Sequence, residues 1–200
     1  MTPEAVRKVV SYHEAGHAVV TRLLGGDIVF VTVTVAEEAG PSAAACVLRP
    51  SAAHAARESG RAAQVAGYEI DGKVALAGPI AQLMSRPSRD DRAAQTSASH
   101  EEDFGHAKNA ACCIALLMAG EALPEPGEIR QVTLSGAVAD SYNATLERLQ
   151  RETKAILNEH WPAVKRVAKA LFENDRLDQA EIDNLIAGLA PRPKDGPPPQ

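Results

Sequence analysis

Aromatic residues make up only 4% of this 200-residue chain, and cysteine occurs three times. Three thiols, two of them adjacent at Cys112-Cys113, do not make a disulfide framework, which excludes a small disulfide-stapled fold. The adjacent pair reads as buried thiols on a helix in a reducing compartment. Long apolar runs are missing as well. None approaches the roughly 18 residues of a membrane span, so no membrane-crossing helix is expected. Positive charge is scarce: 21 Lys and Arg face 26 Asp and Glu, a formal charge of −5 without a basic cluster. That balance argues against a nucleic-acid partner, which calls for a basic face. The N-terminus has no basic stretch followed by an apolar core, which predicts a cytoplasmic protein. No G-x-x-x-x-G-K-[ST] occurs, so the chain carries no P-loop, and it has no internal repeat.

What the chain has in quantity is alanine. Hydrophobic residues reach 45%, much of it alanine, and the shortage of β-branched and aromatic side chains leans the fold toward helix. The length suits one domain able to bury a sizeable core. The expected class is mainly α with a small β-sheet (α+β), as one domain over residues 1–189. A proline-rich, disordered tail follows over 190–200, with five prolines from Pro191 onward.

Local signals place the elements. Thr2 caps a first helix with Pro3 at its first position, and Gly25-Gly26 ends it. Its apolar line runs Val6, Val10, His13, His17, Val20 and Leu24, one face at 3-and-4 spacing. A β-branched strand over 28–35, a turn at Gly40-Pro41 and a weaker strand over 44–48 predict a small sheet. Residues 52–70 read as helical. A separate helix over 72–84 is expected with Asp71 as its cap, kinked or split by Pro79. A polar loop covers 85–98. Ser99 and Glu102 form a capping box for a helix that stops at Gly120. After a connector over 121–130 come a helix over 136–159 and another from Pro162 to about Asn174. A last short one is capped by Asp178 and Glu181 and closed by Gly188.

The chemistry lies in His13-Glu14-Ala15-Gly16-His17, an H-E-x-x-H on the first helix. Histidines at i and i+4 stand on one face a turn apart, so both imidazoles can reach one zinc ion at about 2.0–2.1 Å. Glu14 stands off that line beside the metal. There it can take a proton from a zinc-activated water and pass it to a leaving amine. A chain of this composition carries H-E-x-x-H by chance about once in seventy cases, so the motif needs a third ligand behind it. Candidates are His54, His100, Glu101, Glu102, Asp103, His106 and later acids. The apolar face Ala107, Ala110, Ile114 and Leu117, extended back one turn, lands on Asp103, which therefore points inward from the first turn. Glu102, His106 and Asn109 share a flank that stays wet, and His106 reads as a solvated histidine.

At these residues the chain resembles the peptidase domain of the FtsH-type ATP-dependent zinc metalloproteases. The stretch Val10-Ser11-Tyr12-His13-Glu14-Ala15-Gly16-His17-Ala18 follows that family's H-E-A-G-H-A segment. Thr96-Ser97-Ala98-Ser99 leading to Asp103 is similar to its loop and aspartate ligand. Ala77-Gly78-Pro79-Ile80-Ala81-Gln82 resembles its alanine-glycine helix, with Pro79 where the family carries arginine and Gln82 where it carries glutamate. The segment from Ala155 to Ile182 is similar to its closing helices. The resemblance implies a metalloendopeptidase with one zinc per chain on His13, His17 and Asp103, and Glu14 as base. It further implies extended substrate paired along the 44–48 strand. Expected partners are a polypeptide substrate, a separate ATPase unfoldase and other copies of the chain in a homo-oligomer. Two other readings are a catalytically idle relative that binds a partner and a zinc hydrolase of another substrate class.

Overall fold

The computed structural model describes residues 2–34, 43–48, 52, 56, 59–85, 98–123 and 133–187. Helix α1 runs Pro3–Leu23, started by the Thr2 hydroxyl, which accepts from the Ala5 amide at 3.3 Å, and left through Gly25 at φ 81°. A positive φ of that kind suits a residue without a β-carbon. Strands β1 (Ile28–Thr34) and β2 (Ala43–Leu48) pair antiparallel, with a bulge between Ile28 and Phe30. A third strand, β3 (Arg176–Asp178), pairs antiparallel with the other side of β1, giving the order β2-β1-β3. The mainly helical class with a small sheet is what composition led one to expect. The third strand had no such forecast: three residues are too few for an alternating pattern, and β3 exists because β1 offers it a ladder.

Helix α2 (Arg61–Met84) differs from the sequence reading. It is one helix, not a segment over 52–70 followed by a capped helix from residue 72. Asp71 lies in its interior, and the Asp71 carboxylate accepts instead from the Ala52 amide at 3.0 Å. Pro79, also inside, removes one backbone donor without dividing the helix. Packing overrides both local stop signals. Arg148 of the fourth helix bonds Glu69 at 2.6 Å, and Lys73 reaches Glu152 at 2.7 Å, so both sides of the Asp71 turn are tied to one neighbour.

Helix α3 (Ala98–Ala119) starts one residue before the forecast cap at Ser99, whose side chain is outside the described set, and ends at Gly120 with φ 83°. Helices α4 (Gly136–Glu159) and α5 (Trp161–Asn174) fall where their patterns put them. Asp175, in the left-handed region at φ 59°, turns the chain into β3. In α6 (Gln179–Ile186) the capping box is complete: Glu181 N–H donates to Asp178 and Asp178 N–H to Glu181. The turn at Gly40-Pro41, the loop over 86–97, Gly188 and the tail over 190–200 lie outside the described residues.

Two adjoining cores hold the fold. In the larger, α1 contributes Ala15, Val19 and Val20 against Val31 and Val33 of β1 and Val164, Val167 and Leu171 of α5. The smaller sets Leu76 of α2 and Ala107, Ala111 and Ile114 of α3 around Leu149 of α4. Ile80 touches both. Burying each large aliphatic side chain contributes about 1.5–3 kcal/mol. Cys112 and Cys113 are buried on α3, as their helix position led one to expect. Among the described residues no helix is long and apolar enough to cross a membrane.

Candidate metal centre

His13 and His17 sit on the buried face of α1, one turn apart, where the apolar stripe of the helix meets α2. Burial of two imidazoles is costly unless their nitrogens are partnered. Here α2 provides outward partners. His17 Nδ1 donates to the Val74 carbonyl at 2.8 Å, and Gln82 Oε1 accepts from His13 Nδ1 at 3.0 Å. The two helices run antiparallel past each other, so Val74, Gly78 and Gln82, at four-residue spacing, present one face to both rings. With each Nδ1 carrying the hydrogen, each Nε2 carries a lone pair turned inward. Those two Nε2 atoms are 3.1 Å apart.

Asp103, in the first turns of α3, completes the group. Its Oδ2 stands 3.0 Å from His13 Nε2 and 3.4 Å from His17 Nε2. Although so close to both rings, this oxygen is buried without a hydrogen-bond donor, because neither Nε2 has a hydrogen to give in this arrangement. Three electron-rich atoms thus converge on one point, which a cation would relieve. The triangle they form, 3.0, 3.1 and 3.4 Å on its sides, matches one face of a tetrahedron. For metal–ligand bonds of about 2.0–2.1 Å the edges of such a tetrahedron are about 3.3 Å. Among the described residues, His13, His17 and Asp103 are the group of His, Cys, Asp or Glu side chains that could hold a metal ion.

Space for the site comes from Gly78. A β-carbon there would lie 2.2 Å from His17 Nε2 and 2.7 Å from His13 Nε2. Gly16, between the histidines, allows the approach from the other side: its β-carbon would stand 2.5 Å from the Ala77 carbonyl oxygen. The donors therefore fit a divalent ion, and the backbone has been cleared around them.

Glu14 is buried beside His13, and the Cys46 backbone N–H of β2 donates to its carboxylate. Burial pushes the Glu14 carboxyl up, opposed by any positive charge on His17 and His13. For Asp103, burial pushes the same way. A hydrogen or a positive charge on either imidazole outweighs it and holds this carboxyl below the usual carboxylate range. His17 is the converse: burial would lower it, but Asp103 and Glu14 raise it.

The site forms the floor of a cleft of about 680 Å³, walled by α1, β2, α2 and α3. Glu102 and His106 line its rim with side chains 77% and 66% exposed, 3.8 Å from each other and outside the donor cluster. Helix periodicity therefore separated Asp103 from these two neighbours. His54 and the side chain of His100 lie outside the described residues, and Glu101 is exposed. The roles of Gly78, Gln82, the Val74 carbonyl and the Cys46 amide were not legible in the chain. The four-residue spacing from Val74 through Gly78 to Gln82 is the signal that points to the first three, once α2 is known to face α1. No protein-family model and no curated protein sequence matches this chain.

Proposed function

We propose that the protein is a zinc-dependent metalloendopeptidase that cleaves unfolded or extended polypeptides. His13, His17 and Asp103 are its metal ligands and Glu14 its general base. The observation that carries this reading is the convergence of three donor atoms beside a buried carboxylate at the floor of an open cleft. A zinc ion held there would supply a Lewis acid with an open coordination position, acidifying a water molecule and polarising the scissile carbonyl.

The remaining steps belong to the chain. Glu14 accepts a proton from the attacking water and returns it to the departing amide nitrogen. Its burial favours the protonated form that this return needs, and the Cys46 N–H aims the carboxylate. Val74 and Gln82 hold the two imidazoles with Nε2 turned inward. Strand β2 is an outer strand of the sheet, and Ala44, Cys46 and Leu48 line the cleft. An extended polypeptide adding to that edge would be read first through its backbone, which gives broad sequence tolerance.

The resemblance of His13-Glu14-Ala15-Gly16-His17-Ala18 to FtsH-type peptidases supports the same reading. These 200 residues carry no P-loop, so an ATPase outside them would deliver folded substrates, while unfolded segments would need no help. Purified protein assayed for zinc and for turnover of casein, with and without chelator, tests the proposal. Chelator-sensitive cleavage at about one zinc per chain supports it. A zinc-loaded protein that leaves casein and other unstructured peptides intact overturns it in favour of a partner-binding role.

A further inference from the structure

The two histidines are held differently. The partner of His17 Nδ1 is a backbone carbonyl at 2.8 Å, which can only accept, so His17 has one tautomer. The partner of His13 Nδ1 is the terminal amide of Gln82 at 3.0 Å, on a side chain only 6% exposed. A carboxamide carries an acceptor and a donor of nearly the same shape, and a half-turn exchanges them. With Oε1 toward the ring, His13 keeps its hydrogen on Nδ1 and turns a lone pair to the metal position. With the amide nitrogen toward the ring, Nδ1 accepts, and the hydrogen moves to Nε2. That hydrogen then points at Asp103 Oδ2, 3.0 Å away, the buried oxygen that otherwise has no donor.

From this pairing we infer that Gln82 is a positioning residue that gives His13 two states. In the metal-bound state Nδ1–H donates to Gln82 Oε1. In the metal-free state Nε2–H donates to Asp103 Oδ2, with Nδ1 accepting from the Gln82 amide. The ring carries one N–H in both, so no proton is gained or lost. The metal-free site thereby satisfies Asp103 by turning one amide, rather than leaving three lone pairs opposed. A carboxylate at position 82 could not do this, since it only accepts and would hold His13 in the metal-binding tautomer throughout. Compared with a carboxylate, Gln82 therefore stabilises the empty site and weakens the metal's hold in proportion. The inference rests on the metal reading given above.

Nitrogen-15 NMR of the imidazoles distinguishes the tautomers directly and needs no turnover. Spectra of the full chain at one pH, about 8, would be taken without metal and with zinc. The wild type should show His13 as Nε2–H without metal and Nδ1–H with zinc, while His17 stays Nδ1–H in both. In Gln82→Glu, His13 should be Nδ1–H in both. Its zinc affinity by chelator competition should rise about 10-fold, within the 10–100-fold range of such outer partners. Gln82→Met, close in size but without either function, should bind zinc about 10-fold more weakly than wild type while keeping its helical circular dichroism.

A His13 that shows the same tautomer with and without zinc, or a doubly protonated His13 in the metal-free protein, overturns the inference and leaves the metal site standing. A wild type that takes up no zinc overturns both. These wild-type spectra decide the matter even if Gln82→Glu does not fold.

Discussion

Gly78 and His17 touch backbone to ring: a β-carbon on Gly78 would stand 2.2 Å from His17 Nε2, far inside any real contact. Gly78→Ala must therefore push an imidazole out of place or part α1 from α2. We expect zinc binding to be lost and stability to fall by about 1–3 kcal/mol, the usual cost of overpacking. Gly105→Ala on α3 is the control, because its β-carbon would meet nothing within 4 Å. That change should keep zinc and stabilise the protein by roughly 0.4–1 kcal/mol. Calorimetric zinc titration and thermal melts of both variants check the pair; equal zinc binding by both would mean the clearance at Gly78 is immaterial.

Glu14→Gln keeps size and polarity but removes the proton acceptor. Because Glu14 stands outside the donor triangle, zinc content and thermal midpoint should hardly move. Peptide hydrolysis should drop by about 10²–10⁴-fold, the contribution of a positioned general base. Rates on an unstructured peptide, with zinc measured in the same samples, test this; equal rates at equal occupancy would exclude Glu14 as the base.

Asp103 and His106 lie one turn apart on α3 but in different surroundings. Asp103 Oδ2 is 3.0 Å from His13 Nε2, whereas His106 has its side chain 66% exposed. Asp103→Ala should weaken zinc binding more than about 100-fold, beyond the range typical of outer-shell changes. His106→Ala should leave it within about 2-fold, as for a surface residue. Competition with a chromophoric chelator measures both, and the reverse order would contradict the donor geometry.

Acid sensitivity should have a component outside the candidate metal centre. Burial pushes the Glu152 carboxyl up, but the Lys73 ammonium and the Arg148 guanidinium outweigh it and hold the carboxyl below its ordinary value of 4.5. A carboxyl depressed in the folded state stabilises the fold above its unfolded value. That contribution fades as pH falls from about 4.5 through the lower folded value. Glu152→Gln should therefore destabilise the protein at neutral pH and flatten the decline of its melting temperature below pH about 4.5. The effect should be modest, since Glu152 is partly exposed and its ion pairs are screened. Melting curves across pH 3–7 follow it, and parallel curves for variant and wild type would remove the pair from acid unfolding.

Sequence by itself determined what depends on neighbours within a turn. The i, i+4 placement of His13 and His17, the inward aim of Asp103, the boundaries of α1, α4 and α5, and the capping box at Asp178 and Glu181 all follow from helix periodicity and end chemistry. These act over about four residues, the range a linear reading can see. Tertiary structure decided the rest. Arg148 and Glu152 of α4 hold α2 continuous past Asp71, and β1 supplies the ladder that makes three residues into β3. The contacts that prepare the imidazoles join residues 57 and 69 apart in the chain. No local rule links such positions. They meet because Gly16 and Gly78 allow two antiparallel helices to approach more closely than any side chain larger than hydrogen would permit.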